Sequence, residues 1–66
     1  MIQVGDKVIS SGQFIPDIGI GIVKARLDIN YEPTDNEDLI EYISCKYPSG
    51  FRIIPLDWIE QRQYDA

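Results

Sequence analysis

The chain contains no histidine and a single cysteine, Cys45. Without imidazole, the commonest general base and a principal zinc ligand are missing, and Ser10, Ser11, Ser44, Ser49 and Cys45 have nothing to activate them as nucleophiles. One cysteine cannot close an intramolecular disulfide, which points to a reducing, cytoplasmic compartment. There is no glycine-rich phosphate loop with its lysine either, and Gly12 through Gly21 is not a dinucleotide fingerprint, because the glycines sit inside a strand instead of opening a helix. No apolar run approaches a membrane span, and Met1-Ile2-Gln3-Val4-Gly5-Asp6 lacks the basic and apolar regions of a signal peptide. The expectation is a soluble, non-enzymatic protein with no metal, no cofactor and no membrane partner.

What is present suffices for one small domain. Of the 66 residues 44% are hydrophobic, too many for a disordered chain. A chain this short buries only about 60% of its unfolded surface, so every large apolar side chain counts. Eleven acids against six bases give a formal net charge of −5, which opposes non-specific attraction to nucleic acid or anionic membrane. The acids cluster: Asp28, Glu32, Asp35, Glu37, Asp38 and Glu41 have no base among them after Asp28. This segment reads as a solvated loop and lacks the alternating ligands and glycine of a calcium loop. Its sharper reading is a row of negative charge that imitates nucleic acid before a basic protein surface.

Taken in order, Gly5-Asp6 is a turn into a first strand at Val8-Ile9. Residues 11–18 form a long loop with Phe14 tucked beneath it. A central strand then starts at Gly19-Ile20-Gly21, where two glycines at i, i+2 mark a bulge, a sharp coil or a close backbone approach. Beyond them a period of two sends Val23, Ala25 and Leu27 to the core and Ile22, Lys24 and Arg26 outward. Thr34-Asp35-Asn36-Glu37 matches a helix-capping box, but a helix through Leu39, Ile40, Tyr42 and Ile43 would run into Pro48. The alternation of Ile43, Cys45 and Tyr47 with Ser44 and Lys46 favours a strand, with one helical turn near Asp35.

Tyr47-Pro48-Ser49-Gly50-Phe51 reads as a three-residue hairpin loop, a type I turn closed by a G1 bulge. That geometry places Tyr47 opposite Phe51 and Cys45 opposite Ile53 on the inner face, with Cys45 a small buried hydrophobe and Lys46 beside Arg52 outside. Pro55 ends the fourth strand, Leu56-Asp57-Trp58 is a 3₁₀ turn, Ile59-Glu60-Gln61 closes the fold, and residues 62–66 are a frayed tail. Trp58 is expected to plug the end of the fold. A cation cage of Tyr31, Tyr42 and Trp58 is the alternative use of these aromatics. Lys24, Arg26, Lys46 and Arg52 form an outer basic stripe, either a solvated sheet face or a nucleic-acid contact.

Five short strands, a long first loop, a glycine-rich second strand, a tight hairpin and one 3₁₀ turn before the last strand describe an all-β chain. Over residues 1–61 the layout resembles a small five-stranded SH3-like barrel of the Tudor/KOW type. Through Val8-Ile9-Ser10, Ile18-Gly19-Ile20-Gly21-Ile22-Val23 and Tyr47-Pro48-Ser49-Gly50 the sequence is similar to the N-terminal Tudor-like module of the RapA-type RNA-polymerase-associated ATPases. Through Val4-Gly5-Asp6-Lys7-Val8 and Gly19-Ile20-Gly21-Ile22-Val23 it is similar, more distantly, to the polymerase-interacting domain of CarD-type regulators and the C-terminal Tudor domain of UvrD/PcrA-type helicases.

The resemblance implies a protein-interaction module that binds RNA polymerase or another component of a transcription or nucleic-acid-processing complex. Ile18, Ile20 and Ile22 are the candidate contacts, since a barrel this small cannot bury all its isoleucines. The shared motifs are turn and core positions, which specify fold more than partner, and the acidic segment is longer than the usual connection. Two alternatives stand beside this reading: a small inhibitor, such as a phage encodes, acting through the acidic segment, and a weak nucleic-acid-binding barrel using the basic stripe.

Overall fold

A computed structural model describes residues 2–9, 17, 19–59 and 64–65. The expected loop over 11–18, Phe14 beneath it, Ile18 and the segment Glu60-Gln61 lie outside the described residues, Asp17 excepted. Strands β1 (Lys7–Ile9), β2 (Ile20–Leu27), β3 (Tyr42–Tyr47), β4 (Gly50–Pro55) and the two-residue β5 (Tyr64–Asp65) form one antiparallel sheet in the order β4-β3-β2-β1-β5. Among the described residues no ladder joins β4 to β5, so the described sheet is open. The chain is mostly β, as its patterning implies. The expected helical turn near Asp35 is a 3₁₀ turn at Glu37–Leu39, capped by Asn36, whose side chain accepts from the Asp38 amide.

β3 sets the inward direction. Ile43, Cys45 and Tyr47 are buried on it, and Val8, Val23, Ile54 and Ile59 complete the centre of the core with Ile2 and Ile40 at its margin. Burial of each large side chain stabilises the fold by about 1.5–3 kcal/mol. Tyr47 is the largest of the fully buried side chains, and it explains Gly21. A Cβ at Gly21 would stand 2.6 Å from the Tyr47 ring, so the glycine admits an aromatic ring, not another backbone. The bulge anticipated at the glycines instead falls between Val23 and Ala25, at Lys24.

That bulge changes the face of everything after it. Val23 pairs with Cys45, but Ala25 pairs with Ser44, Arg26 with Ile43 and Leu27 with Tyr42. Directly paired residues share a face of an antiparallel ladder. Arg26 is therefore in the inward phase and Ala25 and Leu27 are not, the reverse of the unbroken alternation. Leu27 is still buried: the chain folds back beside it through a bridge to Pro33 and a bond from the Glu41 amide to the Leu27 carbonyl.

The β3–β4 hairpin is also displaced by one residue from the expected register. Tyr47 pairs with Gly50, Lys46 with Phe51, Cys45 with Arg52, Ser44 with Ile53 and Ile43 with Ile54. The loop is thus Pro48-Ser49 alone, and Gly50, at φ +133°, belongs to the strand. A shift of one residue exchanges the two faces of a strand. Ile54 is 3% exposed and Ile53 is 53% exposed, while Phe51 is exposed outside beside Lys46. Two features favour this register: Tyr47 already fills the space over Gly21, and Arg52 turned inward meets a buried carboxylate.

The end of the chain differs as well. Leu56–Trp58 is a single α-helical turn, with Pro55 ahead of it. Trp58 is 42% exposed, and the residue that enters the core there is Ile59. The strand that pairs with β1 is Tyr64–Asp65, in the part expected to be frayed, and Ile59 does not belong to it.

Candidate interaction site

Strands β1 to β4 contain no acidic residue and hold five of the six bases, Lys7, Lys24, Arg26, Lys46 and Arg52. Their side chains go to different places, so the expected four-residue stripe does not exist as one surface. Arg26 is only 11% exposed, and its guanidinium lies 3.5 Å from the Ile2 carbonyl, 3.8 Å from Asp35 and 4.0 Å from Glu37. Both carboxylates are exposed, so the ion pairs are weak, and the buried stem of Arg26 contributes mostly as packing. Lys24 is exposed on the bulge, beside a shallow groove of about 220 Å³ that Pro33, Thr34 and Asp35 line opposite Ala25 and Arg26.

Arg52 reaches the mouth of the fold. Its Nε is 2.8 Å from Asp17 Oδ2, and the side chains are 45% and 7% exposed. Among the described residues that oxygen has no aligned hydrogen bond, whereas Asp17 Oδ1 accepts from Ser49 Oγ at 2.5 Å and from Arg52 at 3.4 Å. The cluster ties Asp17 to the β3–β4 turn, and a buried carboxylate needs such a partner. Asp17 was missed as a structural residue in the sequence. Its one signal is an acid set between Pro16 and Ile18 in an otherwise apolar stretch. Beneath it the Tyr47 hydroxyl is buried with no hydrogen-bond partner among the described residues, and burial, with Cys45 and Asp17 nearby, raises its pKa to about 12. Burial likewise raises the Cys45 thiol to about 11. A thiol so protonated is a poor nucleophile.

The outward phase is a different surface. Lys7, Ile22, Lys46 and Phe51 are paired in one row across four strands. Ile9 pairs with Ile20 on one flank of this row, and Ser44 with Ile53 on the other. Ile9, Ile20, Phe51 and Ile53 are exposed and Ile22 is half-buried. Lys46 Nζ donates to the Tyr47 carbonyl at 3.0 Å and lies 5.6 Å from the Phe51 ring centroid. Large apolar side chains exposed together on one face of a sheet are what soluble proteins generally cover or use. Of the expected contacts, Ile20 and Ile22 stand here and Ile18 lies outside the described residues. Phe51 and Ile53 were missed because the one-residue register difference sends them inward on paper, and Lys7 because its strand is short.

The acidic segment is a strapped loop. Asp28 Oδ1 accepts from the amides of Asn30 and Glu32, and the Thr34 amide bonds to the Arg26 carbonyl. Asp35 and Glu37 face Arg26, while Glu32, Asp38 and Glu41 are exposed. Tyr31, with φ 63°, sets its ring 4.7 Å from that of Tyr42. Two of the three expected cage residues therefore meet. The hydrogen bond with Tyr31, followed by the Tyr31 charge, raises the Tyr42 pKa. Among the described residues no helix is long and apolar enough to cross a membrane. Set against known protein families, curated proteins and solved structures, the chain matches none of them.

Proposed function

We propose that the chain is a non-enzymatic protein-interaction module whose sheet closes as a small SH3-like barrel of the Tudor/KOW type, and that it docks through the outward face of β1 to β4. The observation that carries this reading is the run of exposed Ile9, Ile20, Phe51 and Ile53 around the Lys7–Ile22–Lys46–Phe51 row. The strand order β4-β3-β2-β1-β5 is compatible with the barrel. The partner class, RNA polymerase or another transcription component, comes from the sequence resemblance through Ile18 to Val23 and Tyr47 to Gly50. Immobilised protein incubated with lysate of the source cell is expected to retain polymerase subunits, and a double variant Ile20→Ser, Phe51→Ser is expected to lose them while remaining folded. Repeated recovery of no polymerase subunit by the unaltered chain would sink the assignment.

A second reading rests on the exposed carboxylates of Glu32, Asp38 and Glu41 and the full exposure of Asp35. In it the segment blocks a nucleic-acid-binding surface. Replacing Asp35, Glu37 and Asp38 by their amides then abolishes partner binding with the fold intact, and unchanged affinity counts it out.

A further inference from the structure

We infer that the occupant of the outward face is an acidic amphipathic helix of a partner protein, an inference that rests on the docking role proposed for that face. The face is apolar at Ile9, Ile20, Ile22, Phe51 and Ile53, and the charges that β1 to β4 add to it in the central row are Lys7 and Lys46. No acid of these strands offsets them. Strands lie about 4.8 Å apart, so Lys7 and Lys46, two strands apart in one row, have backbones about 10 Å apart. Helical positions i and i+7 lie about 10.5 Å apart on one side of a helix. Carboxylates at those positions meet the two lysines, and apolar residues at i+3 and i+4 lie over Ile22.

The other occupants fit less well. A two-fold contact between copies would set this face against itself, lysines against lysines, with no acid of β1 to β4 to compensate. Nucleic acid would leave the exposed isoleucines and Phe51 of this face against phosphate instead of apolar groups. Lys46 is already positioned by the Tyr47 carbonyl and the Phe51 ring, and an ammonium has three donors, so a carboxylate can bind without displacing that bond. Lys7 stands opposite Asp65 of β5, so Lys46 carries the test.

The test titrates the ¹⁵N-labelled full chain, at low salt, with a synthetic helical peptide of about fourteen residues bearing Glu at i and i+7 and Leu at i+3 and i+4. A matched peptide with Lys for Glu and a single-stranded oligonucleotide serve as controls. The expected result is amide shifts at Ile20, Ile22, Lys46, Phe51 and Ile53 with the acidic peptide only. Binding weakens about tenfold in Lys46→Glu and falls with added salt, while the spectrum of the free variant stays folded. Equal binding of the lysine peptide, shifts confined to Asp35–Leu39, oligonucleotide binding at the same amides, or concentration-dependent pairing of the chain through them would each overturn it. Capture of polymerase through this face without binding of the acidic peptide would overturn the helix and leave the docking role standing; failure of both removes both.

Discussion

On the inward side of the sheet Arg26 and Arg52 end against the carboxylates of Asp35, Glu37 and Asp17, whereas on the outward side Lys7 and Lys46 stand among isoleucines and Phe51. The charges are the same and the sheet is the same, with one of the four bases on each of β1 to β4. What separates them is strand phase, set by one bulge at Lys24 and by one residue of register at the β3–β4 turn. Bases in the inward phase hold loops onto the sheet, and bases in the outward phase are left for something else to meet. Neighbouring residues of one type can therefore have opposite roles, as Ile53 and Ile54 do.

The comparison breaks most visibly at those two isoleucines. Ile54→Ala is expected to cost about 2–5 kcal/mol, as core truncations do, and Ile53→Ala to stay within about 0.5 kcal/mol, both read from urea denaturation. Equal losses would mean that the two faces are not distinct. Next comes Gly21→Ala, which forces a methyl group into the Tyr47 ring and is expected to destabilise by about 1–3 kcal/mol, seen as a lower midpoint with unchanged slope. An unaltered midpoint would mean that Tyr47 does not pack there.

The arginine and lysine pairs are separated by a thermodynamic cycle. Arg52→Ala leaves Asp17 buried without its ion pair; because Arg52 is itself half exposed, the cost is discounted to about 1–2 kcal/mol. Combining it with Asp17→Asn recovers part of that loss, whereas Lys46→Ala changes stability by about 0.5 kcal/mol or less. Additive effects at Asp17 and Arg52 would contradict the cluster. A further comparison is alkaline. The ordinary values of 9.0 for Cys45 and 10.0 for Tyr47 rise to about 11 and about 12 in the fold. Above pH 9 the unfolded chain therefore loses protons that the folded chain keeps. From these two groups stability is level below pH 9 and falls from there to pH 12. Cys45→Ala should flatten the early part of that fall in a series of midpoints against pH, and an unchanged early slope would remove Cys45 from the account.

Much of the scaffold was legible from local chemistry. Gly5-Asp6 announced its turn, the β3 alternation of Ile43, Cys45 and Tyr47 with Ser44 and Lys46 announced a strand against a competing helix, and the capping-box pattern Thr34-Asp35-Asn36-Glu37 announced a helical turn, although the residue that caps it is Asn36. Two of the readings that failed concern phase, which is not a local property. The bulge at Lys24 has no signature in Val23-Lys24-Ala25, and Pro48-Ser49-Gly50 is compatible with a loop of two residues or three. The choice depends on Tyr47 over Gly21 and on Arg52 reaching Asp17, contacts between residues as much as 35 positions apart. Because the candidate site is defined by phase, Ile20 and Ile22 were found and Phe51 and Ile53 were not.

The face assignment is tested most directly by thiol labelling in a Cys45→Ala background, comparing Ile53→Cys with Ile54→Cys under native conditions. Rapid modification at position 53 and slow modification at position 54, limited by opening of the fold, is the predicted result. The reverse order would restore the three-residue loop, return Phe51 and Ile53 to the core, and remove the surface on which the proposed function stands.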